Sequence, residues 1–162
     1  MEGPPDPDPL AMCSYCGCRA ITVIGELTAE HEAIINATGM LSRAVAAGDA
    51  AAALTAAGTV SALLAPHTIR EEVGLFAELR RDPEFTAPVD ALCTEHRELD
   101  ALPARVSGGE LGAAVALETL MRRHIDREEN GIFPAAAIAV DGQTWDLIDA
   151  RVARHVADEV RL

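Results

Sequence analysis

His67-Thr-Ile-Arg-Glu-Glu-Val-Gly-Leu-Phe76 and His124-Ile-Asp-Arg-Glu-Glu-Asn-Gly-Ile-Phe133 are two copies of one segment. His, Arg, Glu, Glu, Gly and Phe recur in register, and Leu75 is answered by Ile132. Ahead of each copy stands another histidine with a glutamate before it, Glu30-His31 and Glu95-His96. The order Glu-His, then His-x-x-x-Glu, therefore occurs twice, an internal duplication with a candidate metal ligand at each key position. In each His-x-x-x-Glu an imidazole and a carboxylate stand one above the other on one helix face.

The surrounding sequence has helical period. A first helix is expected from about Arg19 to Ala47, with Ile24, Leu27, His31, Ile34, Leu41 and Val45 on its apolar face and Thr38 filling the one gap. Gly48-Asp49 supplies a helix end and the next N-cap. The second helix runs from about Ala50 to Arg80, carries Leu64, His67, Glu71 and Leu75 inward, and should kink near Pro66. Asp82-Pro83 ends it. A third helix spans about Pro88 to Val106 with Val89, Leu92, His96 and Leu99 inward, and a fourth about Leu111 to Phe133 with Leu117, Leu120, His124 and Glu128 inward. A last amphipathic helix, about Thr144 to Val160, has Trp145, Ile148, Val152 and Val156 on its apolar side and suits a lid over one face of the bundle.

Short connections make such helices run up, down, up, down. From His31 to the first turn is about 17 residues and from there to His67 about 18. The corresponding distances around the second and third turns differ by only a few residues, so at about 1.5 Å per residue all four histidines lie near one layer. The expected fold is all-α: an antiparallel up-down-up-down four-helix bundle over residues 19–140. A Pro/Asp-rich disordered arm, residues 1–18, precedes it, and a C-terminal helix, residues 141–162, packs on it.

Composition narrows the function. The 162 residues carry a formal charge of −13 and few aromatics. So acidic a chain repels phosphate backbones and anionic bilayers, which excludes nucleic acid and membrane surfaces as expected partners. The first nine residues are acidic and proline-rich, unlike a signal peptide, and no uninterrupted apolar run is read as a membrane span. A cytoplasmic protein, monomer or weak homodimer, is expected, with its four cysteines reduced.

Four imidazoles and two carboxylates in one buried layer would cost several kcal/mol each without partners, and a cation removes that penalty. They are too many for one tetrahedral zinc, and the oxygen donors argue against copper alone. The economical assignment is two metals, held by His31, His67, His96 and His124 with Glu71 and Glu128 bridging. Mixed nitrogen and oxygen donors with open positions suit iron or manganese, or a mixed centre, and iron best suits redox chemistry.

The order His31, His67-x-x-x-Glu71, His96, His124-x-x-x-Glu128 resembles the hemerythrin-like (HHE cation-binding) family over about residues 20–140. That resemblance implies a four-helix bundle with a non-haem di-iron centre bridged by two carboxylates and an oxo or hydroxo group. Oxygen-carrying hemerythrins have a fifth histidine one turn after the third-helix histidine, and Asp100 stands there instead. The departure argues against reversible oxygen transport and makes Asp100 an alternative ligand. Those carriers also space the last carboxylate five residues after its histidine, so Glu129 competes with Glu128; the duplication favours Glu128, the equivalent of Glu71.

The other repeated residues suggest milder roles. Arg70, Arg127, Glu72 and Glu129 would pair at the surface or around the ligands, Glu30 and Glu95 would lie on a solvated face or else orient neighbouring helices, Gly74 and Gly131 would admit close helix contacts, and Phe76 and Phe133 would shield the site or fill core. Cys13, Cys16 and Cys18 form Cys-x-x-Cys-x-Cys, candidate redox thiols in the arm, and Cys93 lies one turn before His96. His155 is read as structural. The expected function is to bind or turn over a small oxidant, hydrogen peroxide, dioxygen or nitric oxide. The alternative is a non-catalytic redox or oxygen sensor, or an iron-handling module, whose cysteine arm responds to the centre.

Overall fold

The computed structural model describes residues 17–161, and among them every regular element is helical. A short turn of 3-10 helix, Cys18–Ala20, leads into α1, Thr22–Ala46. Gly48 then adopts a left-handed φ of 69°, which a side chain would resist. The Asp49 carboxylate accepts the Ala52 N–H and starts α2, Ala50–Leu79. Asp82 accepts the Glu84 N–H and starts α3, Pro83–Ser107, with Pro83 where a missing N–H is harmless. Residues 113–139 form α4. Asp141 accepts the Thr144 N–H at the head of α5, Gly142–Glu159.

Three boundaries differ from the sequence reading. Asp82-Pro83 both ends α2 and opens α3, so the helix expected from Pro88 starts at Pro83. Pro66 lies inside α2 without ending it, and the departure from α geometry comes one turn later, in a π-helical stretch at Arg70–Leu75. The fourth helix has the matching stretch at Glu128–Ile132 and then continues as Phe133–Ala139, past its expected end. The Phe76 N–H donates to the Glu71 carbonyl and the Phe133 N–H to the Glu128 carbonyl, each five residues back. Such turns are rare and concentrate at functional sites.

Four helices form a ring in which α1 packs on α2 and α4, and α3 packs on the same two. The fifth covers the π stretch of α2, burying Trp145 and Ile148. Gly74 makes that approach possible: a Cβ there would meet Val152 Cγ2 at 2.8 Å and Ile148 Cγ2 at 3.3 Å. A Cβ on its counterpart Gly131 would meet nothing within 4 Å among the described residues, which show no close contact of the kind expected there.

α2 is long and apolar enough to cross a membrane by length and composition, contrary to the sequence reading. Its Ala53, Ala57, Val60 and Leu64 are instead buried in the bundle core. That core falls into two apolar clusters. One holds Ile34, Leu41, Val60, Leu64, Leu99, Val106 and Leu117; the other holds Ile24, Leu27, Leu75, Phe76, Leu92, Phe133 and Trp145. On each helix of the ring, the repeated histidines and glutamates lie where one cluster gives way to the other.

Candidate metal centre

His31, His67, Glu71, His96, His124 and Glu128 are all buried, with 3% exposure or less. Their ligand atoms fall into two groups, His31, His67, Glu71 and Glu128, and Glu71, His96, His124 and Glu128. Within each group the nitrogens and oxygens lie within 4.8 Å of one another, and both groups share the two glutamates. The structure thus pairs histidines from neighbouring helices, α1 with α2 and α3 with α4. Ring centroids are 4.7 Å apart in both pairs, edge to face.

Local geometry explains the convergence. A π turn spreads fewer degrees per residue than an α turn, so consecutive glutamates diverge less. In α2, Glu71 points among the imidazoles while Glu72 reaches the outer side of His96. In α4, Glu128 points inward and Glu129 reaches the outer side of His31. Glu128 rather than Glu129 therefore joins both groups. Asp100 is exposed and belongs to neither.

The inner atoms crowd without satisfying each other. His31 Nε2 is 3.1 Å from Glu128 Oε2, His96 Nε2 3.1 Å from Glu71 Oε2, and His124 Nε2 3.1 Å from Glu128 Oε1. Yet both carboxylate oxygens of Glu71, both of Glu128, and His31 Nε2 are buried without a partner in hydrogen-bonding geometry. An unsatisfied buried polar atom costs about 1–3 kcal/mol, more when charged. Charge compensates part of this. Burial works against a charged His31, but Glu128 and Glu129 overcome it and raise the imidazole to about 10. Burial likewise opposes charge on His96, which Glu71 and Glu128 raise to about 9. Burial pushes Glu128 up, and His124 and His31 more than reverse this and hold it well below the usual carboxylate range. Cations seated in the two groups would supply the missing partners, so this donor set fits a pair of metal ions.

Behind the inner atoms lies a second ring, of which the sequence reading had Glu72 and Glu129 pairing around the ligands but not which histidine each carboxylate serves. The Nδ1–H of His67 donates to Glu30 at 2.9 Å, that of His96 to Glu72 at 2.8 Å, that of His124 to Glu95 at 3.0 Å, and that of His31 to Glu129 at 2.9 Å. Each carboxylate sits on the preceding helix around the ring, with α4 serving α1. With each Nδ1 proton held by a carboxylate, Nε2 is the inward atom, and a cation that displaces any proton there meets the lone pair a metal requires. Glu30 and Glu95, expected on a solvated face or else orienting neighbouring helices, are therefore orienting groups for the histidines of those helices. Their signal in the sequence was adjacency: each directly precedes a histidine of the layer, as Glu72 and Glu129 directly follow its glutamates. Phe133 stacks on His31 at 5.6 Å and Phe76 on His96 at 5.8 Å, shielding both rings.

Cys13 and Cys16, like the expected arm up to residue 16, lie outside the described residues. Cys18 is buried in the apolar cluster that holds Phe133, and Cys93 is buried beside Glu72 and His96; neither enters the two inner groups. His155 is partly exposed and pairs with Glu159 within α5 at 3.4 Å.

A family model described as Hemerythrin HHE cation binding domain matches residues 22–136. No curated protein and no solved structure matches the chain. The match spans more than half of the sequence and includes all six residues of the buried layer, and so the chain belongs to the hemerythrin HHE cation-binding domain family.

Proposed function

We propose that this protein holds two iron ions and binds or turns over a small oxidant such as hydrogen peroxide, dioxygen or nitric oxide. One observation carries the proposal: the unpartnered oxygens of Glu71 and Glu128 are common to two histidine pairs. His31 and His67 would hold one ion, His96 and His124 the other, with both glutamates between them. When bound, the metals would supply redox and Lewis-acid chemistry. The chain's own part is to present neutral imidazoles through the outer carboxylates and to keep the layer dry between two apolar clusters. Among the described residues it offers no further nucleophile or general acid in the layer. The bundle itself is taken to run up, down, up, down, supported by the order of the two clusters along the chain, which reverses from each helix of the ring to the next. The setting is taken as cytoplasmic and the protein as a monomer or weak homodimer.

A sensor is the second proposal, and Arg19 favours it. Adjacent to Cys18, Arg19 donates to Glu129 at 3.3 Å, and Glu129 accepts from His31, which links the cysteine-bearing segment to the layer. The deciding experiment is metal content per chain and visible absorption of protein expressed with iron, followed as peroxide is added. Two irons and continued loss of peroxide support turnover; two irons and a single spectral change support sensing. A folded protein without metal refutes both.

A further inference from the structure

Duplication puts the two halves of the bundle in correspondence, yet only one of their outer faces is covered. In the first half α5 lies on α2. Ile148 and Val152 approach Gly74, and Arg151 donates to the Gly74 carbonyl at 3.3 Å and to Glu78 at 2.8 Å. In the register that matches His67 with His124, the α2 residues Arg70, Gly74, Leu75 and Glu78 correspond to Arg127, Gly131, Ile132 and Ala135 of α4. Those four line a groove of about 400 Å³ whose other wall is α3, with Phe85, Pro88 and Leu92. Among the described residues nothing fills it. Ile138, next on the same stripe of α4, is 89% exposed, more than any other large apolar side chain described.

The open groove also differs from the covered one in charge. Ala135 stands where Glu78 receives Arg151, so an occupant needs no cation there. The charged groups on its walls are Glu84 towards one end and Arg127, already held by Glu95 at 2.6 Å, towards the other. Phe85, Pro88, Ala135 and Ile138 leave an apolar strip that suits an uncharged segment.

Such a segment belongs to the chain itself. Residues 1–16 lie outside the described residues and contain no Lys or Arg. Residues 10–16, Leu-Ala-Met-Cys-Ser-Tyr-Cys, carry no charge, and Leu10, Met12 and Tyr15 are apolar. They join the described chain at Gly17. Immediately after it, Cys18 is buried in the cluster that holds Ile132, Phe133 and Ala136, and Arg19 pairs with Glu129. The segment therefore starts beside the helix that walls the groove. Reaching the groove side of α4 means crossing about one helix diameter, roughly 10 Å, and seven extended residues span about 23 Å.

We propose that residues 10–16 seat in this groove of their own chain, with Leu10, Met12 and Tyr15 covering Gly131, Ala135 and Ile138 as α5 covers Gly74. The cysteine-bearing segment is then held on the helix that carries His124 and Glu128. The proposal does not depend on bound metal.

Tyr15 is the one tyrosine of the chain, so incorporating 3-fluorotyrosine gives the full-length, reduced protein a single fluorine-19 resonance. The expected resonance is displaced from its position in urea and has lost most of its solvent isotope shift, at every protein concentration. Ala135→Glu and Ile138→Arg install the residues of the other copy, found at Glu78 and Arg81, and each should return the resonance to the urea position. Ile138 is too exposed for its replacement to unfold the bundle, and far-UV circular dichroism of both variants checks this. Leu54→Glu, at an exposed position of α2, should leave the resonance displaced. A resonance at the urea position in the unmodified chain, or one that stays displaced in either groove variant, would overturn the proposal. So would a displacement that appears only as sedimentation shows dimers forming, which would make a second copy the occupant.

Discussion

Glu71 belongs to both groups of ligand atoms whereas His67 belongs to one, so replacing them should have different consequences for metal-linked stability. A ligand present at about a hundredfold above its dissociation constant stabilises the folded state by about 2.7 kcal/mol. Two ions then contribute about 5 kcal/mol, and in a domain of this size each kcal/mol moves the melting temperature by about 2–4 °C. The unmodified protein should therefore gain about 10–20 °C on loading. His67→Ala, which leaves the His96–His124 group intact, should keep about half of that gain. Glu71→Gln preserves size and removes the shared charge, so it should keep less than about a quarter of the gain. Far-UV circular dichroism melts of stripped and anaerobically iron(II)-loaded protein measure all three. If Glu71→Gln retained as much of the shift as His67→Ala, the glutamate would not be shared and the reasoning would fail.

Three further outcomes are expected. In the metal-free protein His31 and His96 titrate at about 10 and about 9, above the unfolded value near 6.5. Their stabilisation is complete below about pH 6.5 and is lost as pH rises through about 9–10, so the stripped protein should melt lower at high pH. Loading displaces the same protons, so metal affinity should rise with pH, by up to about tenfold per unit for each proton released; calorimetry in buffers of different ionisation heat counts them. The duplicated glycines should respond with opposite sign to alanine. Gly74→Ala drives a Cβ into Val152 and Ile148 and should destabilise by about 1–3 kcal/mol. Gly131→Ala meets nothing within 4 Å among the described residues and should stabilise by about 0.5–1 kcal/mol, both read from urea midpoints. Asp100→Asn, at an exposed position outside both groups, should leave metal content unchanged by elemental analysis.

The helical class, the six buried residues and their common layer were legible in the sequence because each depends on spacing along one helix. Apolar residues recurring around His31 and His96 mark a buried stripe, and a four-residue interval aligns His67 with Glu71 and His124 with Glu128 whatever the helices do elsewhere. Even Gly48, Asp49 and Asp82 announce their turns locally. The π stretches were not legible: a helix that admits one extra residue per turn keeps nearly the same apolar pattern, and the widened turn closes only when the surrounding helices hold it. Nor was the fate of the two glycines, which share a sequence context and differ only because α5 lies against one of them.

The outer ring separates the two kinds of information most clearly. Glu30, Glu72, Glu95 and Glu129 stand beside layer residues in the chain, yet each serves a histidine on a different helix. Which one it serves depends on the rotation and height of a neighbour, quantities that periodicity in one helix does not contain. By itself the sequence determined that four imidazoles and two carboxylates would share a buried layer. Only the tertiary structure decided which protons those imidazoles hold, because a tautomer is set by the partner across the helix interface.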